Sequence, residues 1–213
     1  MIDHPLAAIL REALAGRFPA SDGVVEIVSP DPGGEHAIVE FTGHALVLTD
    51  HPDAADILAD RDAFGGASHP EVVSSLAGDR FEIGTCDMVF VRRAGDRCAD
   101  RLDRIESVVP TDRHDLHPRA LRARHHRREV TILGDERGLV TIGTGVVGRT
   151  EVSVEVVDAR PGVGAALVEG ALRHLRPETW VFAQVTPGNV RSVRRFVSLG
   201  FRPIAGEILL TPR

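Results

Sequence analysis

The chain has 213 residues, 43% hydrophobic and 26% charged, the make-up of an ordinary globular protein and long enough for one large domain or two small ones. Its formal net charge is −6, which argues against nucleic acid as the main partner, because duplex binders are more often basic. No apolar run approaches the roughly 20 residues of a membrane span, and two cysteines, Cys86 and Cys98, are too few for a disulfide scaffold. The sequence reads as a cytoplasmic protein with free, inert thiols.

In chain order, residues 3–16 predict a helix. Acids precede its apolar residues and an Arg lies among them, unlike a signal peptide. "GVVEIVS" (23–29) predicts a strand, and "EHAIVEFTGHALVLTD" (35–50) a hairpin turning at "TGH". Two helices follow, 51–61 with Pro52 near its start and 69–78 ending on Gly78. Residues 87–93 predict another strand. Residues 94–116 are charged, with few apolar residues apart from "IESVV", and a domain boundary is expected near their start. This divides the chain into an α/β N-terminal region, 1–93, and a second domain, 94–213.

The second domain opens with an Arg-rich helix (117–129). Strands at 129–134 and 139–147 form a hairpin through "DERG", and a third strand covers 151–157. A helix at 163–175, a strand at 180–185, a helix at 189–199 and a strand at 205–211 complete it. Three antiparallel strands feeding a crossover helix predict an α/β (α+β) fold with a mixed, mostly antiparallel sheet and helices on both faces.

The stretch "ARPGVGAAL" (159–167) joins strand to helix. A dinucleotide fingerprint needs a third Gly where Leu167 stands, and a P-loop needs a Lys that the chain lacks. Two readings remain. One is a tight turn that packs the helix back on its strand. The other is an anion cradle formed by the amides of Gly162, Val163, Gly164, Ala165 and Ala166, with the glycines removing Cβ atoms that would hold a phosphate off. "WVFAQVTPGN" and "NVRSVRRFVSLGF" (189–201) add a strand, a capping Asn189, Ser192 three residues later and Phe196 seven later.

Together, in this order, these segments resemble the GCN5-related N-acetyltransferase (GNAT) superfamily over roughly residues 117–213. The resemblance implies an acyl-CoA-dependent N-acetyltransferase, with acetyl-CoA as donor and an amine of a small molecule or protein as acceptor. The pyrophosphate would lie on 162–166 beside Arg160. Pantetheine would run along strand 151–157, by Val156 and Val157, where that strand parts from 180–185. Asn189, Ser192 and Phe196 would complete the cofactor site. The N-terminal region would be an extension or a degenerate copy of such a domain, and the protein a monomer or homodimer.

Two departures stand out. Ala159 occupies the position where the family commonly has Arg or Gln, with Arg160 next to it. Phe196 replaces a Tyr that the family often uses as general acid, and the chain has no Tyr. The second departure favours the alternative of a non-catalytic acyl-CoA-binding or sensing module. As general base the candidates are Glu155, nearer the parting of the strands, and Glu151. With Ser153 they share one face of their strand, and a solvated strand face explains them equally well. No metal is expected: adjacent His125 and His126 diverge by about 100° on a helix, and no cluster completes a zinc site.

Overall fold

The computed structural model describes residues 1–96, 108–158 and 160–213, so Cys98, Ala159 and part of the charged stretch lie outside the described residues. The chain divides into two units, Met1–Val89 with Ile204–Arg213, and Phe90–Pro203.

In the first unit, α1 (Pro5–Leu14) precedes strands β1 (Val25–Val28), β2 (His36–Phe41) and β3 (His44–Leu48). Short α2 (Ala54–Leu58), α3 (Pro70–Ala77) and the long β4 (Phe81–Arg93) follow. The predicted hairpin is present, paired from Ala37↔Leu48 to Phe41↔His44. The last strand of the chain, β10 (Arg202–Pro212), returns here and pairs antiparallel with β2 from Gly206↔Glu40 to Leu210↔His36. The unit therefore holds most of a strand that the sequence reading gave to the second domain. Ile208 and Leu210 bury into the same core as Ile38, Val47, Val72, Leu76 and Phe81. β4 starts six residues earlier than expected. Its first half is largely exposed and broken by Gly84, and the ladder to β10 holds it there.

The helix starts share one local rule. α1, α3 and α4 (Pro118–His126) each have Pro in the first turn and His immediately before it. His4 Nδ1 accepts from Leu6 N–H at 3.1 Å, His69 Nδ1 from Glu71 N–H at 3.4 Å and His117 Nδ1 from Arg119 N–H at 3.1 Å. Imidazole thus does the capping work usually done by Ser, Thr, Asp or Asn, and Pro sits where its missing N–H costs nothing.

In the second unit the strand order is β9 (Trp180–Val185), β8 (Thr150–Val156), β7 (Gly138–Thr144), β6 (Arg128–Asp135), β5 (Val109–Pro110). β5 to β8 are antiparallel and β8–β9 is parallel. This is the predicted mixed, mostly antiparallel sheet. Alternation along β8 places its helices on opposite faces. Glu151 and Glu155 meet arginines at the end and start of α4. On the other face a Cβ on Gly164, in α5 (Val163–Leu172), would stand 3.1 Å from Val156 Cγ2.

α5 is buried along nearly its whole length. Its one acid, Glu169, is ion-paired with buried Arg92, which also donates to the Leu199 carbonyl at 2.7 Å. α6 (Val190–Ser198) buries Phe196.

Two outcomes are expected in urea unfolding. Glu169→Ala strands the Arg92 guanidinium and should cost about 3–5 kcal/mol. His117→Ala should cost about 1 kcal/mol and His117→Asn much less, because Asn restores an acceptor for Arg119 N–H.

Candidate functional site

β8 and β9 pair only at Thr150↔Val181 and Glu151↔Phe182. Both strands continue, to Val156 and Val185, without further pairing. The opposite edge of β8 stays zipped to β7 as far as Gly138↔Val156. From Val152 onward, the β8 edge that faces β9 is therefore open. An extended polar chain can complete such an edge by backbone hydrogen bonding.

A buried charge cluster closes the paired end. The Glu151 carboxylate accepts from Arg149 Nε at 2.7 Å, Arg127 Nε at 2.5 Å and Gln184 Nε2 at 2.8 Å. Arg127 Nη2 in turn donates to Gln184 Oε1 at 3.2 Å. The Arg149 guanidinium also lies 5.6 Å from the Phe182 ring centre. Burial alone raises the Glu151 pKa, but Arg149 and Arg127 outweigh it and hold the carboxyl at about 2. A carboxylate so acidic, with three donors already on it, is a poor proton acceptor at neutral pH.

The backbone is shaped around this cluster. A Cβ on Gly145 would fall 2.1 Å from Glu151 Oε1, so only glycine fits beside the carboxylate. Val147, in the turn between β7 and β8, is fully buried with φ +47°, a conformation costly for a β-branched residue. Next to Arg127, β6 carries a register shift between Arg128 and Thr131, with Glu129 at φ +53°.

Glu155 lies further along the same face, beside the open edge. Its Oε2 accepts from Arg119 Nε at 3.2 Å and Nη2 at 3.1 Å, and its side chain is 39% exposed. Among the described residues nothing donates to its Oε1. Ser153, between the two glutamates, shares a 2.7 Å hydrogen bond with Thr141 Oγ1.

The Gly turn splits into two roles. Gly162 is the α5 N-cap with φ +87°, and nothing lies within 4 Å of a Cβ built on it. Gly164 packs against Val156, so its missing side chain lets the helix approach the strand. Of the five amides expected to form a cradle, Val163 N–H donates to Arg160 O at 3.4 Å and Ala166 N–H to Gly162 O at 3.0 Å. Those of Gly162, Gly164 and Ala165 have no acceptor among the described residues. Val157 N–H is taken by the Arg137 carbonyl at 2.9 Å, which removes it from the open edge. Arg160 is exposed and ion-paired with Asp158.

The remaining expected residues lie at the start of and along α6. Asn189 Oδ1 accepts from Ser192 N–H at 3.2 Å, so this pair caps α6. Phe196 is 4% exposed, 6.4 Å from the Phe90 ring and 5.0 Å from the Phe201 ring. It packs as a core residue. Among the described residues no group of His, Cys, Asp or Glu could hold a metal. Burial, with Glu40 and Asp87 nearby, pushes the Cys86 thiol pKa up and keeps it protonated.

Sequence reasoning missed Arg119, Arg127, Arg149 and Gln184. One signal was present: Arg149 stands two residues before Glu151, in extended backbone leading into β8. Nothing local connects Arg127 or Gln184 to it.

No protein-family model matches the chain, and no curated protein matches it. Solved structures do. A GCN5-related N-acetyltransferase from Kribbella flavida is 16% identical over 67% of this chain and 64% of its own length, with a TM-score of 0.43. A conserved protein of unknown function from Staphylococcus epidermidis is 11% identical over 68% of both chains, with a TM-score of 0.42. A second Kribbella flavida GCN5-related N-acetyltransferase is 13% identical over 60% of this chain and 38% of its own, with a TM-score of 0.36. The chain thus spans about two thirds or less of these structures.

Glu151→Gln should destabilise the protein by about 3–5 kcal/mol, because two guanidiniums lose their shared anion. The Glu151 pKa is depressed from 4.5 to about 2 on folding. Its stabilisation is therefore complete above pH 4.5 and fades as pH falls toward 2. Urea midpoints across that range should fall less steeply in the Gln variant than in the wild type.

Proposed function

We propose that the chain is an acyl-CoA-dependent N-acyltransferase of the GNAT kind, transferring an acetyl group to an amine. One observation carries this reading: β8 and β9 run parallel for two rungs and then part, and the open edge of β8 leads toward the Gly162 turn that begins α5. The residues present fit such a substrate. The unpaired edge from Val152 to Val156 suits the amides of pantetheine, and the uncapped amides of Gly162, Gly164 and Ala165 suit a pyrophosphate.

The bound thioester supplies an electrophilic carbonyl. The protein's own part is to hold the amine neutral beside it. Glu155 Oε1 is the open carboxylate oxygen on this face and takes the proton from the acceptor, directly or through water, while Arg119 keeps Oε2 in place. Glu151 stays ionised and fixes the floor of the cleft. With no Tyr in the chain and Phe196 in the core, the proton for the leaving thiolate comes from water. That same absence favours the second reading, a module that binds acyl-CoA without turnover.

Calorimetry with CoA, followed by thiol release from acetyl-CoA over a panel of amines, separates these readings. Binding with release supports the enzyme, binding without release on any amine supports the module, and no binding overturns both. Gly162→Val should raise the CoA dissociation constant tenfold or more by straining the φ +87° turn. Glu155→Gln should lower turnover by about 10²-fold at unchanged CoA affinity; wild-type turnover in that variant would make Glu155 structural.

A further inference from the structure

The charge cluster at the last rung between β8 and β9 holds more than an anchor needs. Two guanidiniums share one carboxylate. Arg149 is fully enclosed, at 0% exposure, whereas the Arg127 side chain is 13% exposed. Arg127 uses Nε on Glu151 and Nη2 on Gln184, and no acceptor among the described residues meets its Nη1. No atom of Arg127 is enclosed without a partner, so the Nη1 edge that makes no bond to the described residues is open to solvent and available to a ligand. The guanidinium plane is already fixed by Glu151 from one side and Gln184 from the other, so little side-chain freedom remains to be lost on binding.

We infer that Arg127 is a carboxylate receptor: the molecule that reacts in the cleft carries a carboxylate, and the Nη1 edge of Arg127 recognises it where β8 and β9 part. This deepens the acyltransferase reading and rests on it. The chemistry of the donor points to a planar anion, since the guanidinium fork matches a carboxylate and is far weaker toward an amide. Position separates this anion from the pyrophosphate. Glu151 and Val157 lie six residues apart along an extended strand, roughly 20 Å. A phosphate seated at the start of α5 therefore stands at the other end of the cleft. The anion at Arg127 belongs to the reacting end, as the carboxylate of an amino-acid-like acceptor or of a dicarboxylic acyl chain.

The test uses the whole chain and calorimetry in two arms. One arm compares succinyl-CoA with uncharged butyryl-CoA. The other compares the amino acids with their amides on protein saturated with CoA. In the wild type at least one arm should favour the carboxylate form tenfold or more. Arg127→Gln should reduce that preference below threefold while CoA affinity stays within threefold. Arg127→Lys keeps the charge without the fork and should cut the preference at least threefold, which decides the matter should the Gln variant not fold. Equal affinities in both arms, or a preference that survives both substitutions, overturn the inference alone. CoA failing to bind at all overturns the acyltransferase reading and this inference with it.

Discussion

A carboxylate buried between two guanidiniums is expensive unless each partner is held in place, because desolvation costs several kcal/mol per ion. Glu151 imposes that demand on its surroundings in the second unit. Arg127 arrives from the end of α4, Arg149 from the turn before β8 and Gln184 from β9, so the cluster binds three separate segments to one strand. The unusual backbone nearby follows from it. Gly145 is excluded from carrying a side chain by the carboxylate itself, Val147 tolerates φ +47° in the buried turn, and β6 changes register beside Arg127.

The same cluster sets where the sheet opens. β8 and β9 stay paired up to Glu151↔Phe182, and the Gln184 amide, two residues further along β9, reaches back to Glu151. Beyond that point β8 keeps only its β7 partner. An edge strand in the middle of a sheet is a liability unless something pairs with it, and a ligand with amide groups is one answer. The opening and the charge that closes it are therefore one feature.

The two glycines of the strand-to-helix turn show how one motif serves different needs. Gly162 is favoured by its own left-handed backbone and faces open space, whereas Gly164 sits tight against Val156 beneath it. The turn reading and the cradle reading each describe one of them. Most of the helix behind is buried against the sheet, which keeps the free amides at its start in a fixed place relative to the β8 edge.

Local chemistry determined much of this protein. The His-Pro pairs mark the starts of α1, α3 and α4, short apolar runs mark β2, β3, β7 and β9, and the order of strands and helices in residues 117–213 carries the GNAT resemblance. Periodicity also put Glu151, Ser153 and Glu155 on one face. Tertiary structure decided what those side chains became. Glu151 became a buried, ion-paired carboxylate because Arg127 and Gln184, distant in sequence, meet it beside Arg149. Phe196 went to the core because Phe90 and Phe201 close around it. The final strand joined the first unit because its apolar residues complete the core of Ile38 and Val47. Spacing along the chain reports which residues share a face, but burial and charge pairing depend on which segments meet across the fold, and that is set only when the sheet assembles.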